Sequence, residues 1–267
     1  MSEPRRADNW DSGGLYEPFM GRWSRPIARG FLNWLAAPEN LDWLDVGCGT
    51  GALSQAILEV ANPRAVLGID PSPGFVEFAR ARLVSPRLAF KIGDAASLDV
   101  DDNSQDMTAS GLALNFMPQP GRALQEMRRV LRPGGMLAAY VWDYAGKMEF
   151  LRHFWDAAAA LDPAAQDLDE GRRFPLCQPE PLEDLFWRSE LGNVEVSPID
   201  VETKFRDFDD YWTPFLGGQG PAPSYAMRLS EGDRVALRER IRSALPVSED
   251  GSIRLIARAW AVRGRKP

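Results

Sequence analysis

A chain of 267 residues with 45% hydrophobic and 26% charged side chains has the make-up of one generous globular core, which excludes collagen-like and disordered classes. Its formal charge is -7, and Lys and Arg are scattered apart from short ends such as Arg263–Lys266. A phosphate-tracking surface is therefore not expected, and neither is a nucleic-acid partner. Two cysteines, Cys48 and Cys177, and one histidine, His153, argue against a structural disulfide and against a metal centre. The opening residues lack a signal-peptide core, and no apolar run approaches the roughly 20 residues of a membrane span. The expectation is a reduced, cytoplasmic protein without a membrane segment.

In chain order, the first ten or so residues read as a polar arm. Between Leu15 and Leu35, Phe19, Trp23, Ile27, Phe31 and Leu35 recur every four residues, the signature of an amphipathic helix, with interruptions expected near Pro18 and Pro26. "LDWLDV" is a strand and "GALSQAILEVA" its helix. "AVLGID" is a second strand, followed by "PGFVEFARARL" with Pro73 in the first turn, where proline is tolerated. "LAFKIGD" and "DMTASGLAL" are further strands, "GRALQEMRRVL" a helix, and "GMLAAYVWD" a fifth strand after the turn Pro133-Gly134-Gly135. Such alternation predicts a doubly wound parallel α/β sheet with right-handed crossovers. Residues 147 to 191 read mainly as helices, "VEVSPIDVETKF" as a strand and "SIRLIARAWAVRG" as the last strand. Between those two strands lies an insertion, 207 to 245, containing the breaker-rich "GGQGPAPS" and placed like a lid. The division expected is an arm and cap helix (1–38), a ligand-binding core (39–146) and a helical cover with the last two strands (147–267), all within one structural domain.

Ligands of such sheets lie at the carboxyl ends of the strands, where strand order reverses. Gly47, Gly49 and Gly51 follow the first strand and let a ligand approach the backbone next to free helix N–H groups. The same loop also satisfies the dinucleotide fingerprint as Gly47-x-Gly49-x-x-Ala52. Three acids tilt the reading: Asp45 just ahead of the loop, Asp70 closing the second strand and Asp94 closing the third. A carboxylate at the second strand end can accept from two ribose hydroxyls, and one at the third from an adenine amino group. A nicotinamide enzyme has no general need for that third acid.

"LDVGCGTG", "GIDPS", "GDAASL" and "LRPGG" at these separations resemble class I S-adenosylmethionine-dependent methyltransferases of the small-molecule type, over roughly residues 40 to 145. The resemblance implies a Rossmann-like sheet of seven strands with an antiparallel last strand, S-adenosylmethionine as methyl donor and S-adenosylhomocysteine as product. It also implies that Asp45, Gly47, Cys48, Gly49 and Gly51 hold the amino-acid end of the donor. Asp70 with Pro71 would hold the ribose, and Asp94, Ala95 and Ala96 the adenine. Leu112 would lie near the methionine part, and Arg22 would pair with the donor carboxylate.

Methyl transfer needs a general base only when the acceptor loses its proton in the transition state. His153, Asn115 and Tyr16 are the candidates for base or acceptor orientation. The tryptophans read as core by default. Aromatic and leucine content in the cover favours a small, partly apolar acceptor, and the protein is expected as a monomer or homodimer. "LALNFMPQP" departs from the Asn-Pro-Pro-Tyr pattern of nucleic-acid and protein-glutamine enzymes. A nicotinamide-dependent oxidoreductase and a non-catalytic adenosylmethionine-binding module remain as alternatives.

Overall fold

The computed structural model describes residues 17–217 and 220–267. Five strands run parallel: β1 (Asp42–Val46), β2 (Ala65–Asp70), β3 (Leu88–Ile92), β4 (Gln105–Gly111) and β5 (Leu131–Trp142). β6 (Gly192–Phe205) forms one edge, and β7 (Ile253–Arg265) inserts antiparallel between β5 and β6, giving the order β3-β2-β1-β4-β5-β7-β6. β1 and residues 136–142 of β5 are buried almost throughout, as helix-covered parallel strands must be, so they read as mostly apolar runs rather than alternations. β6 instead alternates exposed and half-buried residues. It carries Pro198 and a row of acids paired across to β7, Asp200 with Arg258 at 2.6 Å and Glu195 with Arg263 at 2.7 Å. Proline and charge on that strand discourage edge-to-edge association.

α1 (Arg22–Leu35) precedes β1, and the crossover helices are α2 (Ala52–Val60), α3 (Pro73–Arg82) and α4 (Pro120–Val130). α1 buries Trp23, Ile27, Phe31 and Leu35 and packs on α2 and on β6. It continues through Pro26, which sits in the second turn and removes one of the helix's early internal hydrogen bonds; the irregularity falls earlier, in a π-turn over Glu17–Gly21. Ser72 caps α3 by accepting from the Phe75 N–H, with Pro73 next to it as anticipated.

The second half adds α5 (Glu149–Leu161), the short α6 (Glu170–Arg173), α7 (Pro179–Arg188), α8 (Phe208–Trp212), α9 (Pro221–Arg228) and α10 (Glu231–Ala244). The stretch expected to break structure in fact starts α9: Gly220, at φ +88°, precedes Pro221 at the first helical position, where the missing N–H costs nothing. The 207–245 insertion is seated by stacked rings rather than hung on a hinge. Phe154 and Phe215 stack at 4.5 Å, Phe150 and Phe215 at 4.6 Å, and the Tyr211 hydroxyl donates to the Phe150 carbonyl at 2.7 Å. Among the described residues no helix is long and apolar enough to cross a membrane.

Candidate active site

Strand order reverses between β1 and β4, and a cavity of about 410 Å³ opens there against the carboxyl ends of β1 to β5, a volume in the range of small-ligand sites. The loop after β1 is tied to β2 by the Gly47 and Cys48 N–H groups, which both donate to the Ile69 carbonyl. Gly47 adopts φ +75°, and a Cβ there would lie 2.5 Å from the Ala113 Cβ. Gly49 adopts φ +51° and would point a Cβ into open space. The two glycines thus have different causes: one is demanded by protein packing, the other faces the cavity.

Asp45 is fully buried at the end of β1. Its Oδ2 accepts from Ser54 Oγ at 2.6 Å, while Oδ1 is buried without a protein partner. Desolvation, reinforced by the nearby Asp70 charge, pushes its pKa up to about 7. Asp70, the last residue of β2, accepts from the Gly49 N–H and the Ser72 N–H, each at 2.9 Å; burial raises its pKa as well. Asp94 lies just beyond β3, is exposed, and accepts from the Ala96 N–H at 2.9 Å, closing its own turn. Leu112, just beyond β4, is held at φ +59° while its N–H donates to the Tyr140 carbonyl at 2.8 Å. That backbone state costs a leucine about 1–2 kcal/mol and places strain at the cavity wall. Opposite the acids, Tyr140, Trp142 and Tyr144 project from the end of β5. Gly111 makes room for the first of them, since a Cβ there would sit 2.6 Å from the Tyr140 hydroxyl.

The methyltransferase-domain family matches residues 44–139, the stretch that carries β1 to β5. The match and the strand order together mark this stretch as similar to class I S-adenosylmethionine-dependent methyltransferase domains. It is 33% identical to a trans-aconitate 2-methyltransferase of Methylobacterium radiotolerans over 177 residues, 64% of this chain and 65% of that protein. It is 36% identical to an uncharacterised methyltransferase of Mycobacterium tuberculosis over 115 residues, 40% of this chain and 45% of that one. The chain thus spans about half the length of the curated relatives it matches. Among solved structures, Haemonchus contortus phosphoethanolamine N-methyltransferase 2 in complex with S-adenosyl-L-methionine superposes with a TM-score of 0.59 at 14% identity, over 99% of this chain and 61% of that one.

Gly51 packs against Leu83 and Phe90, a Cβ there lying 2.5 Å from Leu83 Cδ1, and is not part of the lining, whereas Asp45, Gly47, Cys48, Gly49, Asp70, Pro71, Asp94 to Ala96 and Leu112 all line this cavity. Arg22 does not. Its guanidinium pairs with Asp210 at 3.2 Å, donates to the Lys204 carbonyl and lies over the Trp23 ring. It fastens α1 to α8, and the expected clamp on a donor carboxylate is not formed. Arg22→Ala should therefore lower the melting midpoint by only a few degrees, about 1 kcal/mol at most. By titration calorimetry it should leave adenosylhomocysteine affinity within about twofold of the parent; a larger loss would restore the clamp.

His153 lies on α5 away from the cavity lining, and burial lowers its pKa despite Glu149 and Asp156 nearby. Asn115, in the turn 114–116, buries both amide atoms without partners and likewise does not line the cavity. Tyr16 lies outside the described residues. Among the described residues the cover, expected to form the pocket with the amino-terminal helix, contributes nothing to the lining, which comes from residues 20 to 144. It acts from behind, Phe174 meeting Phe116 edge-on at 5.0 Å.

Sequence reasoning missed Ser54, Met20 and Ser24 on the helices, Phe116, and the β5 aromatics. The signal for the last was present in part: Tyr140 and Trp142 alternate at the carboxyl end of β5 and so share a face, with Tyr144 in the turn just beyond it.

Proposed function

We propose that the protein transfers the methyl group of S-adenosylmethionine to an oxygen, nitrogen or carbon atom of a small, partly apolar molecule. The observation that carries this reading is the buried, unpartnered Oδ1 of Asp45 on a cavity that also collects Asp70 and Asp94 from successive strand ends. A buried carboxylate oxygen left without a partner is costly, and a ligand cation such as an α-ammonium would complete it. Asp70 is oriented by two backbone N–H groups and retains lone pairs for ribose hydroxyls. Asp94, with Ala95 and Ala96, flanks the adenine position. Gly49 leaves its side-chain space to the ligand, and Leu112 lies by the methionine part. The residues present therefore fit the donor.

When bound, adenosylmethionine supplies a methyl group already activated on a sulfonium. The chain's contribution is alignment: Leu112, Tyr140 and Trp142 wall the space beyond the donor, exclude water and hold an acceptor on the line of transfer, an effect that can account for roughly 7–11 kcal/mol. A small-molecule acceptor is in keeping with the relative that acts on trans-aconitate. Cys48 and Cys177 are both free thiols, in keeping with a reduced, cytoplasmic setting. The chain works in this reading as a monomer or homodimer.

Titration calorimetry with adenosylhomocysteine and, separately, NADH tests the reading. Micromolar binding of the first alone is expected; binding of NADH alone would show an oxidoreductase. Asp70→Ala should weaken adenosylhomocysteine by about tenfold or more, the loss of charged hydrogen bonds worth about 1.5–3 kcal/mol each. An affinity unchanged within about twofold would remove Asp70 from the ribose site.

A further inference from the structure

Resting on that placement of the donor, we infer that the acceptor is an uncharged, ring-containing molecule and that carboxylate-bearing acceptors are rejected. Asp45, Asp70 and Asp94 are assigned to the donor, and the lining also carries Met20, Phe116, Tyr140, Trp142 and Tyr144, with the uncharged Ser24 and Gln119 as further polar groups. Every ionisable group of ordinary carboxylate or basic type on the lining is an acid; among the described residues it has no lysine, arginine or histidine.

The guanidinium groups of the surrounding elements are committed elsewhere. Arg22 is held by Asp210, Arg152 by both oxygens of Asp169, and Arg122 by the Ala96 carbonyl and Glu126. An acceptor carboxylate would lose its water and gain no cationic side chain, on a lining whose charged groups are all acids.

The wall supplies the positive half of the argument. Phe116 is 37% exposed and lines the cavity; its ring meets Phe174 edge-on at 5.0 Å, and Phe174 lies tilted against Tyr144 at 5.8 Å. Rings at these differing tilts present both faces and edges along the lining, and a planar acceptor packs against them with favourable quadrupole geometry. A ring also buries much apolar area at little conformational cost. Nothing on this wall rewards a second charge.

The test is calorimetry at neutral pH in saturating adenosylhomocysteine, using 2-naphthamide and 2-naphthoate as probes of equal shape and different charge. The amide should bind about tenfold tighter or more, and Phe116→Arg, at a half-exposed position that accepts a long side chain, should shrink that preference to within about threefold or invert it. Naphthoate bound as tightly as the amide by the parent protein overturns the inference. So does binding of neither probe while adenosylhomocysteine binds. Failure of adenosylhomocysteine itself to bind is a different result, which removes the methyltransferase reading and this inference with it.

Discussion

Asp45→Asn should raise the melting midpoint of the ligand-free protein above neutral pH and at the same time weaken adenosylhomocysteine by about tenfold or more. The Asp45 carboxyl is buried, held on one side only by Ser54, and titrates near 7 rather than 3.8. A carboxyl whose folded-state pKa is raised binds its proton more tightly in the native state. The stability this confers is fully present below about 3.8 and is lost as pH rises through about 7. The shift sets a ceiling of about 4 kcal/mol on the loss.

Asparagine keeps the oxygen that Ser54 bonds and carries no charge at any pH. The variant should therefore gain about 1–3 kcal/mol above neutrality, several degrees for a chain of this size, and the difference between the two proteins should shrink on acidification. Differential scanning calorimetry across the pH range reads this directly. Equal midpoints at alkaline pH would mean that the carboxylate is solvated in a way the buried geometry does not show. A gain in stability coupled to a loss of binding would identify a charge retained for the ligand at the fold's expense.

Gly47→Ala and Gly49→Ala should separate folding from binding. Both positions require positive φ, which alone costs a non-glycine residue about 1–2 kcal/mol. At Gly47 the new methyl would also lie 2.5 Å from the Ala113 Cβ. Backbone at the β1 end must move to relieve the overlap, so a total loss of about 3–5 kcal/mol is expected in urea titrations, from the strain and overpacking together. At Gly49 the methyl meets nothing within 4 Å, so stability should fall only by the backbone cost. Adenosylhomocysteine binding should nevertheless fall about tenfold or more, because the methyl occupies ligand space. Gly49→Ala binding the product normally would place the ligand away from this loop.

Much of the fold was legible because its determinants are local. Each strand from "LDWLDV" to "GMLAAYVWD" is bounded by its own turn residues, and the three acids stand at strand ends that topology brings to one edge. What was not legible depends on partners far along the chain. Arg22 finds Asp210 at a separation of 188 residues, and no local pattern announces that pairing. Trp142 and Tyr140 are almost wholly buried on a strand apolar on both faces, so composition could not tell a cavity wall from core. Pro221 misled for a different reason. Proline breaks a helix interior and starts a helix equally well, and only the Gly220 conformation decides between the two.

The position of β7 sets the order in which the molecule can be assembled. Among the described residues β6 has β7 as its one neighbour in the sheet, and β7 also supplies the outer partner of β5. During synthesis the five parallel strands can associate as they emerge, but residues 192–205 have nowhere in the sheet to go until residues 253–265 have left the ribosome. For that interval β6 is a strand with two unpaired edges, and its Pro198 and closely spaced acids limit what it can stick to. The slowest productive step of folding should be insertion of β7, a long-range closure that completes the sheet behind a donor crevice whose walls, up to the end of β5, were synthesised earlier.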